Sequence, residues 1–211
     1  MHSLEIVNGE KHYDDYTVFN QINYSFEAGQ TYALVGPSGG GKTTLLNSIG
    51  RLEDLSSGDI WLDNQNINTI TILKYYREFI GYLFQNYALV DEENVQQNLN
   101  LVKRHTTDEL SHQLTKYGLD TSYLKRKVYT LSGGEAQRVA LTRLSLQDPL
   151  IILADEPTGA LDGQNRELVL TSLREMANNG KLVIVATHDD YVSQWADNLL
   201  DISNFKQPNE N

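Results

Sequence analysis

The sequence predicts an α/β fold with a mostly parallel sheet, and three patterns indicate it. Residues 150–154 (LIILA) and 182–186 (LVIVA) are continuous apolar runs, which are typical of parallel strands buried on both faces. A third apolar stretch, 31–35, leads directly into glycines at 36–41, and a helix is expected from about Lys42. Strands that alternate with helices in this order imply a sheet covered by helices on both of its faces.

The residues that precede the glycine-rich segment predict additional β-strands. Ile22, Tyr24 and Phe26 alternate with polar residues ahead of the Ala28–Gly29 turn, which indicates a half-buried strand. The short apolar segment 60–62 lies between the turn clusters 56–59 and 63–65. A hairpin-like addition to the core is therefore expected there.

The middle of the chain, from about 86 to 147, has a helical pattern and no strong strand candidate. Its apolar residues recur at helix-like spacing: Leu99, Val102, Leu110, Leu114 and Leu119. We interpret this part as a helical lobe inserted into a core formed by about 1–85 and 148–211. A later helix is expected between a cap at Asp162 and the segment 178–180.

Composition limits what the chain can do. With 211 residues, 40% of them hydrophobic, the chain can bury one large domain or two closely joined lobes. It has no cysteine, which excludes disulfides, thiolate metal sites and cysteine nucleophiles and agrees with a cytosolic location. A formal net charge of −11 opposes a broad electrostatic hold on nucleic acid or anionic lipid, so protein partners are expected. No apolar run approaches the ~20 residues of a membrane span.

Residues 36–43 (GPSGGGKT) match the phosphate-loop pattern G-x-x-x-x-G-K-[ST] in the required place between a strand and a helix. Glycines let successive backbone N–H groups face a phosphate, and the helix adds its positive end. A flexible glycine turn is the alternative, but the lysine and hydroxyl also lie in register. The expected nucleotide-binding residues here are Gly36, Pro37, Ser38, Gly39, Gly40, Gly41, Lys42, Thr43 and Thr44.

Polar residues follow the later strands. Thr43 and Asp155 are expected to hold Mg²⁺, with Gln85 as a further oxygen ligand. Because side chains alternate along a strand, Glu156 is expected to face the γ-phosphate as general base for the attacking water. His188, after the strand 182–186, is expected to position that water, while Lys42 neutralises the phosphates.

These motifs resemble those of the nucleotide-binding subunit of ATP-binding cassette (ABC) transporters over nearly the whole chain. Segment 131–137 (LSGGEAQ) resembles the family signature, 36–43 Walker A and 151–156 Walker B. Gln85 corresponds to the Q-loop, 160–162 to the D-loop, His188 to the switch histidine and Tyr13 to the adenine-stacking aromatic, although Tyr16 is close enough to offer a ring instead. The resemblance implies a single domain, 1–211, with a P-loop NTPase core, an antiparallel β subdomain and an inserted α-helical subdomain.

The signature also follows from elementary helix chemistry. Ser132 can cap a helix whose first turn holds Gly133, Gly134 and Glu135, so free N–H groups and a positive dipole end face an anion. One ATP cannot occupy both anion sites of one chain. In the family, the signature of one subunit completes the Walker A site of a second in a head-to-tail dimer, which implies ATP, Mg²⁺ and a second copy as partners.

The run 155–162 (DEPTGALD) resembles the subgroup that drives lipoprotein release, macrolide or antimicrobial-peptide efflux and bacteriocin export. It implies a separate integral membrane permease as partner, no nucleic acid, and a cytoplasmic location at the inner face of the membrane through that permease. Apolar residues after Gln85 either receive a permease helix, as in the family, or pack within the lobe. Ala136 and Gly159 depart from the commoner glutamine and serine of the family.

Two function classes other than transport also use such motifs. An ABC-type ATPase of DNA repair or translation normally needs a long coiled-coil insertion or two cassettes, and neither fits this length. A regulatory module that binds nucleotide without hydrolysis is opposed by Glu156 and His188.

Overall fold

The computed structural model describes residues 2–159 and 162–206. Its strands are β1 (Ser3–Tyr13), β2 (Tyr16–Glu27), β3 (Thr31–Val35), β4 (Ser57–Leu62), β5 (Gln65–Asn66), β6 (Ile80–Leu83), β7 (Ile151–Asp155), β8 (Leu182–Ala186) and β9 (Asn198–Asp201). Its α-helices are α1 (Lys42–Ile49), α2 (Ile72–Lys74), α3 (Val95–Leu99), α4 (Thr107–Lys116), α5 (Gly133–Gln147), α6 (Gly163–Asn178) and α7 (Asp190–Trp195). A π-helical turn, Tyr75–Phe79, continues α2, and 3₁₀ turns cover Ile67–Thr69, Thr121–Lys125, Val128–Thr130 and Ile202–Phe205.

The central sheet has the strand order β6-β7-β8-β3-β9, and every neighbouring pair is parallel. This confirms the predicted parallel sheet. In β7, Ile151 and Leu153 belong to the hydrophobic cluster on one face, whereas Ile152 and Ala154 belong to the cluster on the other. Burial of both faces explains why the strand is a continuous apolar run.

A second, antiparallel sheet has the order β2-β1-β4-β5, and β4 and β5 form the predicted hairpin. Residues 57–59, which we predicted as part of a turn, belong instead to β4. The sequence did not reveal β1, because its pairing with β2 and β4 shifts register near Asn8, whose backbone has a positive φ of 49°. Such a bulge breaks the period of two on which strand prediction rests.

Three hydrophobic clusters hold these elements together. The first joins one face of the parallel sheet to α1 and the antiparallel sheet. The second packs α5, α6 and α7 against the opposite face. The third lies among α3, α4 and the 3₁₀ turn 121–125, with Val139 of α5 closing it. Because α5 also supplies Leu141 to the second cluster, it ties the helical part of the chain to the sheet.

The stretch 86–147 contains α3, α4 and α5, as its helical pattern predicts, and our division of the chain at its two ends remains a proposal. Within it, Val102 was wrongly assigned to an apolar helix face, since it lies beyond the end of α3 and is 36% exposed. Leu119 is buried but lies beyond the end of α4. Within 2–159 and 162–206, no helix is long and apolar enough to cross a membrane.

Candidate active site

The glycine-rich segment forms a loop between β3 and α1, as its position in the sequence predicts. Gly41 directly precedes α1 with a φ of 101°, and an added Cβ would lie 2.6 Å from Cγ1 of Val18, so only glycine fits there. The Lys42 Nζ donates to the carbonyls of Gly36 at 2.9 Å and Pro37 at 3.1 Å. Its ammonium is therefore held inside the curve of the loop.

A cavity of about 300 Å³ opens over this loop. We call it the loop pocket; its lining residues are Tyr13, Tyr16, Val18, Ser38, Gly39, Gly40, Gly41, Lys42, Thr43, Thr44 and Glu156. Both candidate tyrosines thus lie at the pocket. The hydroxyl of Tyr13 donates to Glu53, which anchors that ring.

Thr43 and Asp155 come together at the start of α1 and the end of β7. The Thr43 hydroxyl donates to Oδ1 of Asp155 at 3.2 Å. Burial raises the pKa of the Asp155 carboxyl, and the nearby Glu156 charge adds to that effect, against the Thr43 hydrogen bond and the charge of Lys42. A hydroxyl and a carboxylate are the hard oxygen donors that Mg²⁺ prefers, so this pair fits that ion. Among the described residues no cluster of three or more His, Asp or Glu side chains is placed to hold a metal.

Glu156 occupies a different backbone position from the one we predicted. It does not continue strand β7; its φ is 46°, and its N–H donates to the carbonyl of Ala186 at 2.9 Å. Its carboxylate lies 2.6 Å from Nδ1 of His188 and accepts from the Thr187 hydroxyl at 3.4 Å. Asp155 and Glu156 therefore face different partners because Glu156 has a left-handed backbone conformation. Our prediction had attributed this difference to the alternation of side chains along a strand, which was the wrong reason. No sequence signal pointed to Thr187.

Gln85 does not line the loop pocket; it is exposed in the turn after β6. The backbone beyond it is unusual, because Tyr87 and Ala88 have positive φ angles of 63° and 44°. Arg143 of α5 donates to the carbonyls of both, at 2.8 and 2.7 Å. The signature helix therefore holds the turn that follows Gln85, a contact that sequence reasoning missed because the two segments are more than fifty positions apart.

The signature residues begin α5, as predicted, and they lie outside the lining of the loop pocket. Ser132 caps the helix by accepting from the Glu135 N–H at 3.3 Å, and Glu135 accepts from the Ser132 N–H at 2.7 Å. Hydrogen bonds from Tyr123 and Ser132, with the charge of Arg126, lower the pKa of Glu135 to about 2. Gly133 follows the cap with nothing within 4 Å of an added Cβ, so the helix start is open at this residue, whereas an added Cβ at Gly134 would lie 2.9 Å from Nδ2 of Asn165.

The predicted D-loop falls partly outside the described residues, which exclude 160 and 161. Asp162 caps α6 as predicted, since its carboxylate accepts from the Asn165 N–H at 2.9 Å. The buried side chain of Gln137 donates to the carbonyl of Pro157 at 2.7 Å, which fixes α5 to the loop that follows Glu156.

A phosphate loop on a parallel sheet, an acid pair at the end of β7 and a capped signature helix define a class of nucleotide-binding ATPases. A family model described as ABC transporter matches residues 19–159. The chain belongs to the ABC transporter family, and it is an ATP-binding cassette, the ATPase part of such transporters. This confirms the resemblance drawn from the sequence motifs.

Two relatives illustrate the match. The macrolide export ATP-binding/permease protein MacB of Shewanella sp. (strain W3-18-1) is 36% identical over 196 residues, which cover 88% of this chain and 30% of MacB. The uncharacterized ABC transporter ATP-binding protein YvrO of Bacillus subtilis (strain 168) is 37% identical over 196 residues, covering 87% of this chain and 84% of YvrO. The chain thus spans under a third of the length of MacB but a comparable length of YvrO.

A solved structure supports the same fold. The dimeric ATP-binding cassette MJ0796, in a post-hydrolysis state bound to ADP and Pi, has a TM-score of 0.84. Its sequence is 29% identical, and the match covers 94% of each chain. The predicted fold class is therefore confirmed.

Proposed function

We propose that the chain binds and hydrolyses ATP as the motor subunit of an export transporter. Two copies associate head-to-tail around two Mg-ATP and drive a membrane permease on a separate polypeptide. The observation that carries this proposal is the division of the chemistry: Lys42, Thr43 and Glu156 line the loop pocket, whereas the helix start at 132–135, exposed at Ser132 and Gly133, lies outside its lining.

The loop pocket supplies the contacts that a triphosphate needs. Backbone N–H groups of the loop and the start of α1 face the phosphates, and Lys42 neutralises the charge of the outer two. Tyr13 offers the adenine a ring at the open side of the pocket, where 47% of its surface is exposed. Thr43 and Asp155 would hold Mg²⁺, which supplies positive charge to the phosphates when bound; Gln85 would approach it only from its turn after β6.

Glu156 and His188 divide the handling of the attacking water. Glu156 accepts a proton from the water that attacks the γ-phosphorus, and the bond between that phosphorus and the β–γ bridging oxygen breaks, releasing ADP and phosphate. His188 does not line the loop pocket, but its Nδ1 lies 2.6 Å from that carboxylate and its side chain is 68% exposed, so it would hydrogen-bond the γ-phosphate from beside Glu156. Their proximity supports a shared role in orienting water.

The second copy supplies the remaining contacts to the γ-phosphate. The capping box already bonds the N–H groups of Ser132 and Glu135, whereas those of Gly133 and Gly134 have no acceptor within the first turn of α5, and the macrodipole makes this end attractive to an anion. A γ-phosphate held in the loop pocket of a partner would satisfy them, so Ser132, Gly133, Gly134 and Glu135 would complete the partner's site. The dimeric state of the related cassette supports this arrangement.

Export is favoured by the names of relatives. MacB is named for macrolide export, and a protein of Pseudomonas syringae, 34% identical over 206 residues, is named as a probable syringafactin exporter. We propose a peptide, lipoprotein or drug-like substrate, carried by a permease through which the chain sits at the inner face of the membrane. The net charge of −11 supports a protein partner over nucleic acid, and thus transport over DNA repair or translation.

Phosphate release from ATP by the purified chain tests the enzymatic part of this proposal. Hydrolysis that requires Mg²⁺ is expected, and it should rise more steeply than linearly with protein concentration if two copies form each site. Lys42→Ala, which removes the loop cation, serves as the inactive control. Binding of ATP without any turnover would favour a regulatory module and contradict the proposal.

The permease is tested by co-expression. The chain is tagged and purified together with any membrane protein that a neighbouring gene encodes, and ATP hydrolysis of the complex is compared with that of the chain alone. A stable complex whose turnover responds to a peptide or macrolide is expected. Failure of that membrane protein to bind, while the chain still hydrolyses ATP, would overturn the transport assignment alone.

A further inference from the structure

Tyr13 is fixed at both its tip and one face. Its hydroxyl donates to the Glu53 carboxylate, and the Lys11 ammonium lies over its ring, 4.9 Å from the centroid. Glu53 is forty positions away, in the segment that follows α1. The ring is half exposed, yet its hydroxyl and one of its faces are in contact with neighbouring residues. Because Lys11 covers one face of the ring, we expect a planar ligand to use the other face.

Glu53 is itself held by the surrounding structure. One oxygen accepts from Nδ2 of Asn47 at 2.9 Å, and the other lies 3.4 Å from Nζ of Lys11. Lys11 is 9% exposed and also donates to the carbonyl of Asp54 at 2.7 Å. Burial acts to raise the pKa of Glu53, but the hydrogen bonds from Tyr13 and Asn47 and the charge of Lys11 outweigh it and keep that pKa below its usual value. The carboxylate is therefore ionised at neutral pH and a strong acceptor for the phenol.

Asn47, the α1 residue that bonds Glu53, also contacts the strand that precedes Gln85. Oδ1 of Asn47 accepts from the Tyr82 hydroxyl at 3.0 Å. The ring of Tyr82 stacks on Phe84, with 3.9 Å between centroids and 8° between planes. A continuous set of contacts thus joins Tyr13 to the residue that immediately precedes Gln85.

We propose that Glu53 is a positioning residue for adenine binding, which presets Tyr13 so that one ring face awaits the base. A free exposed tyrosine loses rotamer freedom when a base stacks on it, whereas a ring already fixed loses little. Preorganisation therefore raises the affinity for the base without touching the phosphates. This inference rests on the proposed nucleotide site and adds a residue to it that no motif contains.

Paired ligands separate the base from the phosphates. ADP and inorganic pyrophosphate carry the same two phosphates with and without the nucleoside, and calorimetry measures both. Glu53→Leu should weaken ADP binding roughly 2- to 10-fold, the range for one side chain that must be immobilised on binding. Pyrophosphate affinity should not change. Tyr13→Phe, which keeps the ring but loses the hydroxyl, should act alike, and the double variant should lose no more than either single one.

Two controls accompany these variants. Glu53→Gln keeps one acceptor oxygen and should weaken ADP binding less than Glu53→Leu. Glu167→Leu removes an equivalent partner from Tyr191, whose hydroxyl donates to Glu167 at 2.5 Å away from the loop pocket, and should bind ADP as the unaltered chain does.

Each possible result is informative. Unchanged ADP affinity in Glu53→Leu would overturn the inference while leaving the nucleotide site intact. Equal losses for ADP and pyrophosphate would assign Glu53 to support of the phosphate loop and also contradict it, as would additive losses in the double variant. If the unaltered chain binds neither ligand, the proposed function itself fails.

Discussion

At the scale of single residues, Glu156 owes its position to a backbone conformation that residues other than glycine rarely adopt. A positive φ at such a residue costs about 1–3 kcal/mol and persists only where neighbours enforce it. Here the N–H of Glu156 is bound to the carbonyl of Ala186 at the end of β8, beside β7 in the parallel sheet. Pairing of two buried strands thus aims the carboxylate at Thr187 and His188.

If Glu156 is the general base, as proposed, replacing it by glutamine should remove the base and retain the geometry. Hydrolysis is expected to slow by roughly 10² to 10⁴, about 3 to 5 kcal/mol in activation free energy, because an amide does not accept the proton. ATP affinity should remain, and the ATP-bound dimer should accumulate. Single-turnover phosphate release and size-exclusion light scattering measure the two effects.

A matched control is Glu175→Gln, the same change at a carboxylate in the last part of α6. It should hydrolyse ATP as the unaltered chain does. Normal turnover in Glu156→Gln would remove the base assignment, and loss of nucleotide binding would show that the side chain mainly maintains the pocket.

At the scale of elements, the start of α5 is a capped but open helix end. If it binds a partner's nucleotide, Ser132→Arg should abolish ATP-driven dimerisation, because a long side chain then occupies the place of the phosphate. Binding of ATP to the altered chain's own loop pocket should be unchanged, since residue 132 does not line it. Equilibrium binding of labelled ATP and sedimentation measure the two properties separately.

The chain contains a matched control for this variant. Thr106 caps α4 with the same reciprocal arrangement, in which Thr106 and Glu109 bond each other's backbone N–H. Thr106→Arg should lower stability by about 1 kcal/mol, as loss of a cap does, but dimerise normally. If both variants lost dimerisation equally, the effect would be one of stability, and if Ser132→Arg lost its own ATP site, the trans arrangement would be contradicted.

Glu135 makes this helix start sensitive to acid. Its pKa is lowered to about 2 from a usual 4.5, chiefly by the hydrogen bond from Tyr123. An acid with a lowered pKa in the folded state stabilises the fold above its unfolded pKa, and the contribution is lost as the pH falls through 4.5 toward 2. Glu135→Gln should therefore be less stable at pH 7, on the order of 1 kcal/mol for a charged hydrogen bond at a partly solvated site.

The difference from the unaltered chain should shrink as the pH falls below 4.5 and approach zero only at about pH 2 and below, and urea unfolding across this range measures it. Glu109→Gln provides the comparison, since Glu109 occupies the same capping position in α4. A stability difference for Glu135→Gln that stays constant with pH would show that the charge of Glu135 contributes nothing.

Sequence patterns predicted elements whose evidence is local. The buried strands β3, β7 and β8, the phosphate loop and the caps at Ser132 and Asp162 each depend on neighbouring residues. Elements that depend on distant partners were not predicted. Strand β1 has bulges enforced by its pairing with β2 and β4, and β9 is too short to show a period. The anchoring of Tyr13 by Glu53 and of the turn after Gln85 by Arg143 arises only from folding.

At the scale of the whole molecule, net charge and site geometry act in opposite directions. Two copies together have a formal charge of −22, twice the −11 of each, so they repel in the absence of a ligand. The loop pocket and the start of α5 both attract anions. A triphosphate bound between the loop pocket of one copy and the α5 start of the other therefore stabilises the dimer. We expect a monomer without nucleotide and a dimer with ATP.

Cross-linking tests the orientation of that dimer, and the chain suits it because it has no cysteine of its own. Ser38→Cys labels the loop pocket, and Gly133→Cys labels the start of α5, where an added Cβ meets nothing within 4 Å. Both are made in the Glu156→Gln chain so that the ATP-bound dimer persists. In a head-to-tail dimer the loop of one copy faces the α5 start of the other.

A short bifunctional thiol reagent should therefore join chains in the mixture of the two variants with ATP, and join few in either variant alone. Different tags on the two variants show that each product contains one copy of both. ADP in place of ATP should give little product, because without the γ-phosphate the start of α5 has less to bind. A dimer that pairs like surfaces would instead join each variant to itself, and efficient linkage of Ser38→Cys alone would rule out the head-to-tail arrangement.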